Sequence, residues 1–265
     1  MKRGMRKSFW KKMESVLCIC VMLFGVLGLT GCGNTSQTSP DTSQAGADTS
    51  QESGDDQSGI ADDVAAGEVT WTLDYDGTLT ISGNGAMYED GYSPWMNDEK
   101  IKRVVIENGI TSIGVGAFTE CSNLTSIEIP DSVTEIGGGA FSYCSNLTSI
   151  DIPDSVTEIG DLAFDCCDSL TSIEIPNRVT KIGGETFDCC DSLTSITIPD
   201  SVTEIGDGAF SSCLNLTNIT IPDSVTQIGD AAFYECRNLT ITGYPGTTAE
   251  TYAQENGINF VSLDQ

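Results

Sequence analysis

A 23-residue unit returns with little change through residues 106–243, and few folds are compatible with that periodicity. Residues 129–151 read IPDSVTEIGGGAFSYCSNLTSID, and residues 198–220 read IPDSVTEIGDGAFSSCLNLTNIT. Phe118, Phe141, Phe164, Phe187, Phe210 and Phe233 keep the spacing. So do Cys121, Cys144, Cys167, Cys190, Cys213 and Cys236, and the glycines from Gly114 to Gly229. Fixed self-similarity of this length is the mark of a solenoid, in which each unit buries its apolar face only against its neighbours.

Within the first unit, Leu124, Ile127 and Ile129 alternate as on a strand, while Ile113, Ala117, Phe118 and Cys121 occupy a returning arc. Strands stacked at about 4.8 Å would hydrogen-bond coil to coil and join the phenylalanines into one spine. The Ile-Pro pairs, such as Ile152-Pro153, stop each strand because proline lacks the donor the ladder needs. Gly137, Gly160 and their equivalents are expected to permit a tight bend. Asp161, Asp207 and Asp230 are expected at the start of a short helix carrying Ala-Phe-x-x-Cys.

Both ends depart from the repeat. Alternation on either side of Asp76-Gly77 predicts a β-hairpin between Glu68 and Ser82. Residues 84–99 hold Tyr88, Tyr92, Pro94, Trp95 and Met96 and read as an irregular, aromatic-pinned loop. After Gly243-Tyr244-Pro245-Gly246, Thr247 and Glu250 suggest a capping box for a helix to Asn256, with Gly257 closing it and residues 258–263 as a last strand.

The amino terminus has the form of an export signal, with Lys2, Arg3, Arg6, Lys7, Lys11 and Lys12 before an apolar run from Val16 to Leu29. At roughly 15 residues the run is short for a bilayer span. Residues 33–63 are Ser, Thr, Gln, Gly, Ala and Asp with almost no large apolar side chain, so burial cannot offset their ordering entropy. Six of the 12 basic residues but only one of the 39 acids precede Cys32, so a chain starting there is more acidic than the −27 of the whole sequence. Nucleic acid and anionic lipid are poor partners for such a surface.

Histidine is absent, which removes the usual general base and the Ser-His-Asp and Cys-His pairs. The recurring acids are explained by solvated positions, so no catalytic residue, resident metal or cofactor is expected. A calcium site lacks a D-x-D-x-D-G loop to support it. Cys166 and Cys189 stand one period apart in a column filled elsewhere by Glu120, Tyr143, Ser212 and Glu235. At one coil spacing they lie within disulfide reach, and both a bridge and free thiols remain open.

The unit IPDSVTEIGxxAFxxCxNLTSI, the opening Trp71-Thr72-Leu73 with Gly77-Thr78-Leu79-Thr80-Ile81-Ser82-Gly83, and the closing Ala249-Glu250-Thr251-Tyr252-Ala253 together resemble the BspA-like class of bacterial surface leucine-rich repeats. Leu29-Thr30-Gly31-Cys32 resembles a lipoprotein lipobox, with Cys32 the acylated residue. The resemblance implies an α+β repeat solenoid of the leucine-rich-repeat type with 23-residue units, an N-terminal β-hairpin cap and a C-terminal helix–strand cap. The expected organisation is a lipoprotein signal peptide over 1–31, a lipid-anchored disordered linker over 32–63, the N-terminal cap over 64–105, six repeats over 106–243 and the C-terminal cap over 244–265.

It also implies an outward-facing protein on the bacterial cell membrane that adheres to an extracellular protein or glycan and contacts the membrane only through its lipid. The outward strand positions would form the concave binding face. Ser126, Ser149, Ser172 and Ser195 make one column there, and Glu128, Asp151, Glu174, Thr197 and Thr220 the other. The three stacked carboxylates are either relieved by solvent or used to receive a basic ligand. The competing expectation is a structural envelope component that binds nothing specific.

Overall fold

The computed structural model describes residues 57–60, 69–87 and 93–263, all within one compact unit spanning 52–265. The signal peptide, Cys32 and most of the expected linker lie outside the described residues.

The chain winds as a β-solenoid with two parallel strand ladders. The hairpin is present as β2 (Thr70–Leu73) and β3 (Thr78–Ser82), which pair antiparallel. Asp74 closes its turn by accepting the N–H groups of Asp76 and Thr78. A strand β1 (Gln57–Ile60), inside the segment expected to be a disordered linker, pairs antiparallel with β2. An open hairpin edge supplies backbone partners, so a strand can add there without a large apolar face.

The hairpin is also the first rung of the solenoid, because β3 pairs in parallel with β5 (Arg103–Ile106), and β5 with β7 (Ser126–Glu128). The same face continues through β9 (Ser149–Ile150), β11 (Ser172–Ile173), β13 (Ser195–Thr197), β15 (Asn218–Thr220), β17 (Thr240–Gly243) and β18 (Asn259–Ser262). The short strands end before the Ile-Pro pairs, as their missing donor requires.

A second ladder, not anticipated from the repeat, is made by the Glu-Ile positions: β4 (Gly85–Ala86), β6 (Ile110–Ile113), β8 (Glu135–Ile136), β10 (Glu158–Ile159), β12 (Lys181–Ile182), β14 (Glu204–Ile205) and β16 (Gln227–Ile228). Threonines flank it, and the Thr134, Thr157, Thr203 and Thr226 hydroxyls donate to the carbonyl one coil back.

The arc between the ladders is not the expected short helix. Its N–H groups alternate: those of Ala117, Thr119 and Cys121 return to carbonyls three residues back, whereas those of Gly116, Phe118 and Glu120 cross to the next coil. Two left-handed residues per arc impose this alternation. One column is Gly116, Gly139, Leu162, Glu185, Gly208 and Ala231; the other is Glu120, Tyr143, Cys166, Cys189, Ser212 and Glu235. Left-handed backbone costs an L-residue about 1–2 kcal/mol. Leu162→Gly is therefore expected to raise stability by about 0.5–1 kcal/mol in urea unfolding, whereas a glycine in a right-handed position lowers it.

The expected roles of two other columns change as well. Asp161 and Asp207 do not cap helices; their carboxylates accept the N–H groups of Gly184 and Asp230 in the following coil. Gly160 is needed for close coil approach rather than for a bend, since a Cβ there would lie 2.5 Å from the Gly138 nitrogen.

The phenylalanine spine forms with ring centroids 5.3–5.5 Å apart and interplanar angles of 3–16°. Trp95 extends it, 6.0 Å from Phe118, and Trp71 and Tyr252 close its two ends edge-on. Residues 93–98, expected within an irregular loop, thus form one more arc, and Asn97 takes the left-handed position one period before Glu120. Beside the spine, each column cysteine donates its thiol to the carbonyl of the aromatic residue one coil back, from Cys121 on Trp95 to Cys236 on Phe210. The 23-residue spacing of these cysteines gives by itself no reason for sulfur. The thiol is a small, largely apolar side chain that still satisfies a buried carbonyl.

At the C-terminus, α1 (Thr248–Asn256) buries Ala249 and Ala253, and Gly257 ends it at φ 70°. The capping box does not form. The Thr247 hydroxyl donates to the Tyr244 carbonyl, and the Glu250 carboxylate accepts the Gly246 N–H instead. Strand β18 then pairs in parallel with β17 and completes the cap.

Candidate functional site

The first ladder places its outward side chains in straight columns because parallel register carries each unit directly onto the next. Ser149 faces Ser172, Ser195 faces Asn218, and Thr197 faces Thr220. Ser126, Ser149, Ser172 and Ser195 are all exposed, as are Glu128, Asp151, Glu174, Thr197 and Thr220. The inward partners Ile127, Ile150, Ile173, Ile196 and Ile219 are buried, so alternation fixes which side chains a ligand can reach.

Hydrogen bonding separates occupied from available groups on this face. The Thr125, Thr171 and Thr217 hydroxyls donate to the carbonyl one coil back. Among the described residues, the hydroxyls of Ser126, Ser149, Ser172, Ser195, Thr197 and Thr220 bond to no protein group. They are donors and acceptors open to a ligand.

The carboxylates are not equivalent. Arg103, one rung before Ser126, reaches diagonally to Glu128, with its guanidinium donating to the Glu128 carboxylate. Among the described residues, Asp151 and Glu174 have no such cation. The expected three-carboxylate stripe is therefore an ion pair followed by two acids about one coil spacing apart. The second ladder differs, with Lys181 3.1 Å from Glu204 between Glu158 and Gln227.

A separate cluster lies on the arc. Asp165 and Asp188 stack in successive coils beside Cys166 and Cys189, and the Ser142 hydroxyl donates to Asp165 at 3.0 Å. Burial pushes the Asp165 carboxyl up to about 6, against hydrogen bonds from Cys166 and Ser142 that favour its charge; burial also raises Asp188. Cys166 and Cys189 are both free thiols and half-buried, and hydrogen bonding between them raises the Cys166 thiol and lowers that of Cys189. The sequence gives no sign that these acids are withdrawn from solvent, because their column otherwise holds Thr119, Ser142, Ser211 and Tyr234. By contrast, burial pushes the spine thiol Cys121 up to about 12, which makes it a poor nucleophile. Among the described residues, no group of three or more Cys, Asp or Glu side chains is arranged to hold a metal ion.

A family model for the BspA type leucine rich repeat region matches residues 91–190 and 159–256 in six copies. The chain belongs to the BspA-type leucine-rich-repeat family. A solved leucine-rich cell surface protein from Faecalibacterium prausnitzii is 37% identical over 68% of this chain and 55% of its own, with a TM-score of 0.55. The present chain thus spans about half the length of that surface protein. A leucine-rich-repeat protein from T. pallidum is 25% identical over 74% of this chain and 96% of its own, with a TM-score of 0.54. No curated protein matches the chain. BspA-type repeat proteins are generally cell-surface and serve protein interaction.

Proposed function

We propose that the protein is a lipid-anchored surface adhesin that recognises an extracellular protein or glycan through the first strand face. The observation that carries this reading is the ordered row of exposed hydroxyls with no protein partner beside Asp151 and Glu174, held in register by the parallel ladder. Repeated donors and acceptors at one coil spacing suit a repetitive ligand such as an extended peptide or a glycan chain. The two uncompensated carboxylates favour a basic segment.

The test is binding of the protein to a panel of matrix proteins and glycans at low and high salt. Binding that weakens as salt rises is expected, because exposed charges are screened within about 10 Å at 0.1 M. Salt-independent binding would remove the carboxylates from the recognition role. No binding across the panel would favour a structural envelope component.

Anchoring through Cys32 forms the second part of the proposal and rests on Leu29-Thr30-Gly31-Cys32 following a basic and apolar leader. Cys32→Ser is expected to release the protein from the membrane fraction. Its persistence there would point to retention of the apolar segment instead.

A further inference from the structure

We propose that Cys166 and Cys189 form a reversible dithiol–disulfide clasp joining two adjacent coils in the middle of the array. The two residues occupy the same position of successive units, each in the left-handed conformation, with φ 54° and 55°. The Cys166 N–H donates to the carbonyl of Asp188, the residue before Cys189, at 2.9 Å; Cys189 makes the same bond to Ser211. Backbone register thus sets the two side chains directly over one another at about one coil spacing, inside the Cα separation that a disulfide spans. Each thiol shifts the ionisation of the other, Cys166 upward and Cys189 downward, as groups this close do.

The neighbouring thiols do not compete. Cys167 and Cys190 are fully buried and donate to the carbonyls of Phe141 and Phe164. The flanking residues of the clasp column are Tyr143 and Ser212, so each of the two thiols has one sulfur partner in its column. Both are half-buried, which leaves a path for a small oxidant.

A small-molecule disulfide such as oxidised glutathione supplies the electron acceptor. The Cys189 thiolate, the more readily formed of the two, attacks one sulfur of the oxidant and expels the other as a thiolate. Cys166 then loses its proton and attacks the Cys189 sulfur of the mixed disulfide. The Cys166–Cys189 bond forms, and the second small thiolate leaves. The cysteine pair loses two electrons and two protons, and the oxidant becomes two thiols. The adjoining Asp165 and Asp188 oppose thiolate formation when they are ionised, so exchange is slower than at an electropositive thiol.

The test treats the full chain with oxidised glutathione, alkylates remaining thiols in denaturant, and maps tryptic peptides without reduction. Arg178 and Lys181 lie between the two cysteines, so cleavage separates them unless they are bridged. The expected result is a peptide pair joined through Cys166 and Cys189, with a melting temperature about 5–10 °C above that of the reduced protein. Dithiothreitol should reverse both. Cys166→Ser, which introduces the residue the repeat itself carries at Ser212, should retain a glutathione adduct on Cys189 and lose the shift. Both cysteines alkylated after treatment, each capped by its own glutathione, or a bridge to another cysteine would overturn the proposal.

Discussion

Phe141→Ala is expected to cost about 3–5 kcal/mol in urea unfolding, as other buried phenylalanine truncations do. Phe141 is fully buried, with ring centroids 5.5 Å from Phe118 and 5.4 Å from Phe164. Truncation opens a void that rigid coils cannot close, because their separation is set by backbone hydrogen bonds on both ladders and across the arc. It also removes two stacking contacts, each worth about 0.5–1.5 kcal/mol beyond the area buried. Stability in a solenoid depends on nearest-neighbour interfaces, so a defect in the middle weakens coupling between the two halves. Phe141→Leu should recover more than half of the loss by refilling the volume. A cost below about 1 kcal/mol for Phe141→Ala would mean the spine is loosely packed.

The second large effect concerns acid. Most proteins lose stability as their carboxylates protonate, whereas Asp165 works in the opposite direction. Its folded carboxyl is raised from 3.8 to about 6, chiefly by burial, so the folded state binds the proton more tightly than the unfolded chain. Its contribution is fully present below about pH 4 and is lost as pH rises through about 6. At neutral pH the ionised side chain then costs on the order of 2–3 kcal/mol relative to its protonated form. Asp165→Asn is expected to gain much of that at pH 7 and almost nothing at pH 4. Denaturant titrations of both proteins at the two pH values provide the check, and equal differences would remove the burial argument. The comparison cancels the general relief of acidic self-repulsion, which both proteins share.

Much of the architecture was legible because one side chain per column repeats. The Phe, Cys and Leu columns identify the interior directly, and the Ile-Pro pairs mark strand ends. Trp95 was equally legible, since it stands one period before Phe118; the surrounding Tyr88, Tyr92 and Pro94 made the segment look irregular. The second ladder was not legible, because Glu135–Ile136 and its equivalents are too short for alternation to register. Nor were the left-handed positions: Leu162, Glu185 and Cys166 carry none of the glycine signal such backbone normally leaves.

The candidate site divides in the same way. Exposure of the Ser and carboxylate columns followed from strand alternation, while pairing of Arg103 with Glu128 crosses between columns and depends on side-chain reach. Burial of Asp165 and half-burial of Asp188 depend on the packing of arcs whose sequence reads as a short helix. These departures leave Asp151 and Glu174 as the acids on which the proposed recognition rests.

The most direct measurement compares ligand binding by two double variants, Asp151→Asn/Glu174→Gln on the first face and Glu135→Gln/Glu158→Gln on the second. Each removes two exposed charges from the same acidic protein, so the change in net charge is matched. The account predicts at least a ten-fold loss of affinity, about 1.4 kcal/mol, for the first pair and little change for the second. Equal losses would assign binding to net charge, and a loss confined to the second pair would place recognition on the opposite ladder.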